Sequence, residues 1–212
     1  MSTKRELRDE DGYRRLRDAI LTGVLVPNQR LVEAEMSSTF QLPRGAVRTA
    51  LLRLEHEGLI EREPHRGARV RLVSQEEAVE ILQARAALEG LAAQRAARKI
   101  DAAGAEELQE ILDRQRAALE EEDLLGASDV NAQLHAKLVE LSGHATAQRL
   151  IKSLNSQMVR FQFRTILIPG RPSQSLEEHR GIVRAVIEGD PDEAERAMRR
   201  HLNNVAQALA NR

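Results

Sequence analysis

The chain has no cysteine and no tryptophan, and aromatic residues make up only 2 % of its 212 positions. The missing cysteine excludes disulfides and thiolate metal sites. The scarcity of aromatics, with Ala, Leu, Glu and Arg dominant, favours helices packed through aliphatic side chains over a β-sandwich. Long apolar runs are also missing: nothing approaches the roughly 18 uninterrupted residues of a membrane span, and no apolar segment follows the basic N-terminus as a signal peptide requires. A cytoplasmic protein with no membrane contact is the expectation. Net charge is nearly absent, at −1, but it is unevenly spread. Residues 1–73 hold 14 Lys/Arg against 11 Asp/Glu, giving +3, and residues 74–212 hold 18 against 22, giving −4. A nucleic-acid surface is permitted in the first part, and a second one is disfavoured in the rest.

What is present is helical periodicity. Residues 1–8 are polar and expected to fray. Leu16, Ala19 and Ile20, with Tyr13 a turn earlier, predict a first helix from about Asp9 to Thr22. Gly23 ends it and Pro27-Asn28 makes a turn. A second helix is predicted over Leu31–Phe40 and a third over Arg44–Glu57. The third has an inner stripe of Val47, Ala50, Leu51 and Leu54, and Arg44, Arg48 and Arg53 lie off it. Gly58 can stop this helix, and two β-like segments follow, Leu59–Glu63 and Ala68–Val73, around a turn carrying His65, Arg66 and Gly67.

A short helix that leads with arginine and runs into a basic hairpin fits a winged helix-turn-helix. Arg44 and Arg48 lie one turn apart, so one can reach a guanine edge while the other takes a base or a phosphate. Arg66 could enter the minor groove or hold phosphate, with His65 and Gly67 allowing close backbone approach.

Ser74-Gln75-Glu76-Glu77 fits a capping box and marks an expected domain boundary at 73/74. Beyond it only helices are predicted, at about 75–99, 103–124, 127–142, 145–167, 174–188 and 191–210. Asp101 can cap the second of these, and Pro169-Gly170-Arg171-Pro172 breaks the chain before the fifth. Gly189-Asp190-Pro191-Asp192-Glu193 joins the last two as an antiparallel hairpin. The expected fold is mainly α: an N-terminal winged helix-turn-helix over 1–73, then an all-α bundle over 74–212.

Residues 9–73 resemble the winged helix-turn-helix of GntR-type bacterial transcription regulators. Their usual motif runs hydrophobic-Ser-Arg-Thr-Pro-Val-Arg-Glu-Ala-Leu, then Leu-x-x-Glu-Gly-Leu, then a wing centred on Gly. The chain reads Leu42-Pro43-Arg44-Gly45-Ala46-Val47-Arg48-Thr49-Ala50-Leu51, then Leu54-Glu55-His56-Glu57-Gly58-Leu59. The resemblance implies DNA contacts at Arg44 and Arg48 and places the wing glycine at Gly67. Pro43, Gly45 and Ala46 stand where the family has Ser/Thr, Thr and Pro, which removes two hydroxyls. An arginine found in the second helix of some members falls at Ala34.

Six histidines are present. Asn131 precedes His135 by four residues, so the two share a helical face. His179 lies about ten residues before the 189/190 turn and His201 about eleven after it, so the hairpin brings them level roughly 15 Å from the turn. If the 127–142 helix packs there, three imidazoles and an amide oxygen converge, a donor set suited to Zn²⁺ or Ni²⁺. The alternative is that each is a packed or surface histidine; His56 and His144 are read as surface residues.

Residues 74–212 resemble the six-helix effector domain of the FadR branch of these regulators. Its metal-binding members show Asp-x-x-aromatic-His, then Glu-His-x-x-Ile, then a histidine in the last helix. The chain has Asn131-Ala132-Gln133-Leu134-His135, then Glu178-His179-Arg180-Gly181-Ile182, then His201. The resemblance implies a divalent metal on Asn131, His135, His179 and His201, with a neutral amide where many members carry Asp. Arg85 matches an arginine that commonly faces the ligand; its other reading is a surface residue paired to Glu89.

The resulting expectation is a ligand-responsive regulator, a repressor in the commoner family pattern, and not an enzyme. It would bind a palindromic operator in double-stranded DNA as a homodimer, with a metal-bound small organic acid as effector. The dimer contact is expected on the apolar faces of helices 75–99 and 103–124. Two other readings are a metal sensor without an organic ligand and a His-metal hydrolase with Glu178 as base.

Overall fold

The computed structural model describes residues 4–63, 67–158, 161 and 165–211. The chain forms two compact units, Met1–Val73 and Ser74–Arg212.

The first unit comprises α1 (Lys4–Leu21), β1 (Arg30–Leu31), α2 (Glu33–Thr39), α3 (Arg44–His56), β2 (Ile60–Glu63) and β3 (Gly67–Val70). Its core unites Leu16 and Ala19 of α1, Met36 of α2, Val47, Ala50, Leu51 and Leu54 of α3, and Ile60, Ala68 and Val70 of the sheet. Pro43 precedes α3, and Gly58, at φ 71°, follows it in the left-handed region. There Gly58 N–H donates to Glu55 O and Leu59 N–H to Leu54 O, the paired bonds of a Schellman ending. The chain therefore reverses directly from α3 into β2.

The sheet order is β1-β3-β2, all antiparallel, with Ile60 opposite Val70 and Glu61 opposite Arg69. The second helix does not begin at Leu31. Arg30 and Leu31 are extended and pair with Arg69 and Ala68, so Leu31 enters the core from a strand, and α2 starts after Val32. The other strand ends at Val70 rather than Val73, and α1 begins at Lys4, earlier than its apolar residues imply.

The second unit contains α4 (Gln75–Ala97), α5 (Ala102–Glu120), α6 (Leu124–Ser142), α7 (Ala145–Gln157), α8 (Arg171–Ile187) and α9 (Pro191–Ala210). Side-chain caps set five of the starts, four of them through oxygen: Ser74, Asp101, Asp123 and Asp190 accept from the N–H groups of Glu77, Gly104, Gly126 and Glu193. The Asp123 cap explains why α6 begins at Leu124 and not 127, and why α5 stops at Glu120. His144 is not merely a surface residue, because its Nδ1 accepts from Ala147 N–H and caps α7. That helix closes at Gln157 with Met158 as its cap; of the expected extension to 167, residues 159–160 and 162–164 lie outside the described residues, and positions 161, 165 and 166 are helical.

Helix α4 is central. It packs along α9 and also meets α6, α7 and α8. Its buried face includes Ala78, Ile81, Leu82, Ala86, Ala93 and Ala97, while α5 buries Leu108, Ile111 and Leu112 against α6 and α8. The apolar stripes on which a dimer contact was expected are thus covered within the unit itself. Among the described residues no helix is long and apolar enough to cross a membrane.

Candidate nucleic-acid interface and histidine cavity

Helix α3 presents Arg44 and Arg48 to solvent on its exposed side. Arg44 makes no ion pair or hydrogen bond among the described residues. Arg48 donates through Nε and Nη2 to Glu33 at the start of α2, the Nη2–Oε2 distance being 3.1 Å. Arg53 serves a different purpose. Its guanidinium lies 3.5 Å from the centroid of the Tyr13 ring and donates to Glu10 at 2.6 Å. Tyr13 OH donates to Glu57, and burial together with that carboxylate pushes the phenol up to about 12. Arg53 therefore ties α3 to α1.

The unusual residues at the α3 start have visible consequences. Pro43 offers no side-chain cap, so the first N–H groups of α3 receive no bond from the N-cap side chain. Ala46 is buried, and a Cβ at Gly12 of α1 would come within 3.4 Å of the Ala46 Cβ, so both small residues suit the approach of α1 to α3. Gly67 opens β3 at φ 83°, while His65 and Arg66 lie outside the described residues.

In the second unit the histidines converge. His135 on α6, His179 on α8 and His201 on α9 are all buried, and one ring nitrogen from each lies within 4.8 Å of the others. Ring centroids are 5.4 Å (His135–His179), 5.2 Å (His135–His201) and 4.5 Å (His179–His201) apart. His179 and His201 lie level across the α8–α9 hairpin, with 3.2 Å between their Nε2 atoms.

Each histidine also uses its Nδ1 on an oxygen acceptor. His135 Nδ1 lies 2.5 Å from Glu89 Oε2, His179 Nδ1 2.9 Å from Gln115 Oε1, and His201 Nδ1 2.7 Å from Glu178 Oε2. Donation from Nδ1–H fixes one tautomer and leaves Nε2 with its lone pair. Burial pushes His179 well below the ordinary imidazole range, with neighbouring His201 and His135 adding to it. Burial likewise lowers His201 to about 4, against the opposing pull of Glu178. Burial alone would raise both carboxylates. Arg85 and His135 overcome it at Glu89, which stays below the usual range, and hydrogen bonds from His201, Arg171 and Asn204 hold Glu178 at about 2.

His135 and His201 form part of the wall of a cavity of about 110 Å³, together with Arg85, Asn131, Asn155 and Arg171. Asn131 thus shares a cavity with two of the histidines. The expected pairing of Arg85 with Glu89 is present, its Nε donating to Glu89 Oε1 at 2.7 Å, but both residues are buried and not at the surface, and the Arg85 side chain borders the cavity.

Sequence reasoning missed Gln115 and Arg171. Arg171 lies seven residues before Glu178, two helical turns along one face, so its pairing with a carboxylate beside a histidine was there to be found. It sat inside a Pro-Gly-Arg-Pro segment read only as a break. Gln115 comes from a different helix and gave no local signal.

A helix-turn-helix with a small antiparallel wing, followed by an all-helical domain with a polar cavity, is the build of a two-part DNA-binding regulator. The family pattern described as "Bacterial regulatory proteins, gntR family" matches residues 10–70, and the pattern described as "FCD domain" matches residues 80–204. The chain belongs to the GntR family of transcription regulators, in its FadR-type architecture, and is not an enzyme. It is 29 % identical over 197 residues to the HTH-type transcriptional repressor RspR of Escherichia coli (strain K12), covering 93 % of this chain and 86 % of that protein. An HTH-type regulator of Streptomyces ambofaciens is 31 % identical, over 92 % of this chain and 82 % of its own. The solved structure of E. coli McbR/YncC shares the fold with a TM-score of 0.77 at 20 % identity, covering 100 % of this chain and 99 % of that one.

Proposed function

We propose that this regulator is a repressor that binds a palindromic operator as a homodimer, and that a divalent metal in its helical domain receives a small organic acid. The metal is held by His135, His179 and His201, with Asn131 as a fourth, neutral donor; Zn²⁺ and Ni²⁺ suit such a set. One observation carries this reading. All three Nδ1 atoms lie against oxygen acceptors, and with the proton on each Nδ1 the Nε2 lone pairs of His179 and His201 face each other across 3.2 Å. Two lone pairs held at that distance in a buried site suit a cation between them. Neighbouring ligands about 2.0–2.1 Å from zinc lie roughly 3.0–3.4 Å apart, so the spacing fits.

The metal would act as a Lewis acid for a carboxylate. The cavity beside it, bordered by Arg85, favours an organic ligand over metal sensing alone. Glu178 gives little support to hydrolysis, because His201, Arg171, Gln174 and Asn204 already occupy its two oxygens. On DNA, Arg44 and Arg48 read bases, His65, Arg66 and Gly67 form the wing contact, and the uncapped α3 start faces phosphate. Repression is supported by the printed names of relatives such as RspR and GlaR of E. coli, and dimerisation by the symmetry of a palindrome. Ligand control follows from unequal affinity for two arrangements of the dimer.

Elemental analysis of the wild type beside His179→Ala and His201→Ala, with operator binding measured on the same samples, tests the reading. The wild type should carry close to one metal per chain and both variants far less. A wild type free of metal would reduce the histidines to core packing.

A further inference from the structure

Leu52 is 55 % exposed on a helix whose other leucines, Leu51 and Leu54, are buried together with Val47. At about 100° per residue it projects from the side of α3 opposite Leu54. It also lies one turn after Arg48 and two after Arg44, so the face that carries the two arginines continues into an uncovered aliphatic side chain.

Gly45 and Thr49 complete the middle of that face, and both are exposed. Glycine favours a helix less than alanine does, yet nothing in the fold calls for it here. A Cβ added at Gly45 would meet nothing within 4 Å, and its φ is not in the left-handed region. The missing side chain leaves the helix backbone open to close approach from outside. Thr49 turns its hydroxyl back along the helix, Oγ1 donating to Gly45 O at 3.1 Å. Its donor proton is engaged there, and the γ-methyl is the group it has left to offer a partner.

A face with cations toward one edge and aliphatic groups along its centre matches one chemistry of the major groove. Of the four bases only thymine presents a methyl group there, and apolar contact, a threonine methyl included, is what recognises it. Contacts to phosphate alone would call for polar or charged groups at positions 49 and 52.

We propose that α3 reads thymine as well as the bases at its arginines. The Leu52 side chain and the Thr49 methyl pack on thymine 5-methyl groups of the operator, and Gly45 lets the helix come close. The inference rests on the reading that Arg44 and Arg48 contact bases, and it adds to that reading a base type and an apolar mode of recognition.

The test begins with operator duplexes selected from a random pool by the full chain. Each thymine of the selected half-site is then replaced in turn by deoxyuridine, which pairs identically and lacks only the methyl, and affinity is read by fluorescence anisotropy. At least one replacement should weaken wild-type binding about fourfold, the loss of one covered methyl. Leu52→Ala and Thr49→Ser should each bind the thymine and uracil duplexes about equally at the position the residue covers, the methyl-for-methyl coupling of a double-mutant cycle. Serine keeps a hydroxyl for Gly45 O, so Thr49→Ser removes the methyl alone. Full wild-type affinity on every uracil duplex would overturn this inference and leave the arginine reading in place. A uracil penalty undiminished in one variant would remove that residue from the assignment, and undiminished in both it would overturn the whole. A chain that selects no sequence would fail the base-reading assignment, and this inference with it.

Discussion

Gln115 Oε1 accepts the Nδ1–H of His179 at 2.9 Å, joining α5 to α8 across 64 residues of sequence and deciding which ring nitrogen of a fully buried imidazole faces His201. Glu89 and Glu178 do the same for His135 and His201, but Gln115 does it without charge. That makes it the partner most open to substitution without leaving an unpaired carboxylate behind.

Gln115→Leu should therefore keep the fold and free the His179 ring to turn or change tautomer. Metal affinity is expected to fall about ten- to a hundredfold, the usual consequence of losing an outer partner of a ligating histidine. Chelator competition on the purified chain measures it, and circular dichroism checks the helices. An affinity equal to wild type would mean that packing, and not this bond, orients His179.

Arg44 and Arg48 differ in a way that operator binding can detect. Arg44 makes no ion pair among the described residues, whereas Arg48 is held by Glu33 and must leave that carboxylate to reach DNA. Alanine at either position should weaken specific binding by roughly ten- to a hundredfold if the contact is to a base edge. Glu33→Gln should act oppositely, strengthening binding at low salt by removing a competitor and a repulsive charge. Salt-titrated fluorescence anisotropy separates these outcomes. Wild-type affinity in both alanine variants would rule out base reading by this helix.

Gly58→Ala tests the junction between α3 and the wing. The position has φ 71°, and its N–H and that of Leu59 close the helix. A Cβ in the left-handed region costs about 1–2 kcal/mol, so the urea midpoint of the first unit should drop accordingly. An unchanged midpoint would show that the reversal does not need glycine.

The pattern of what could be read in the sequence follows the range of each interaction. Helix α3 was legible because its limits are local: Pro43 before it, Gly58 after it, and one apolar stripe between. The start of α2 was not, because β1 exists only through pairing with Arg69 and Ala68, which are distant in the chain. The meeting of His179 and His201 was legible by counting outward from Gly189, since an antiparallel hairpin converts sequence distance into height. His135 joins them through packing of α6 that periodicity cannot order. Gln115 was invisible for the same reason, and Arg171 was hidden by the prolines and glycine around it. The dimer contact was placed on stripes that α4 and α5 spend inside their own domain, an error that follows from seeing an apolar face without its neighbours.

Asn131→Asp probes the balance of charge between metal and effector. Asn131 lies one turn before His135 and shares the cavity wall with it. A carboxylate there adds a charged ligand to a site whose other donors are neutral imidazoles, so metal should be held more tightly, by about tenfold or more. The same substitution removes one of the two positive charges left for the effector. Affinity for a small carboxylate such as acetate should then fall, even as metal affinity rises. Chelator competition and calorimetry on the one variant read the two changes separately. Movement of both affinities in the same direction would show that Asn131 affects the cavity through its shape and not through charge.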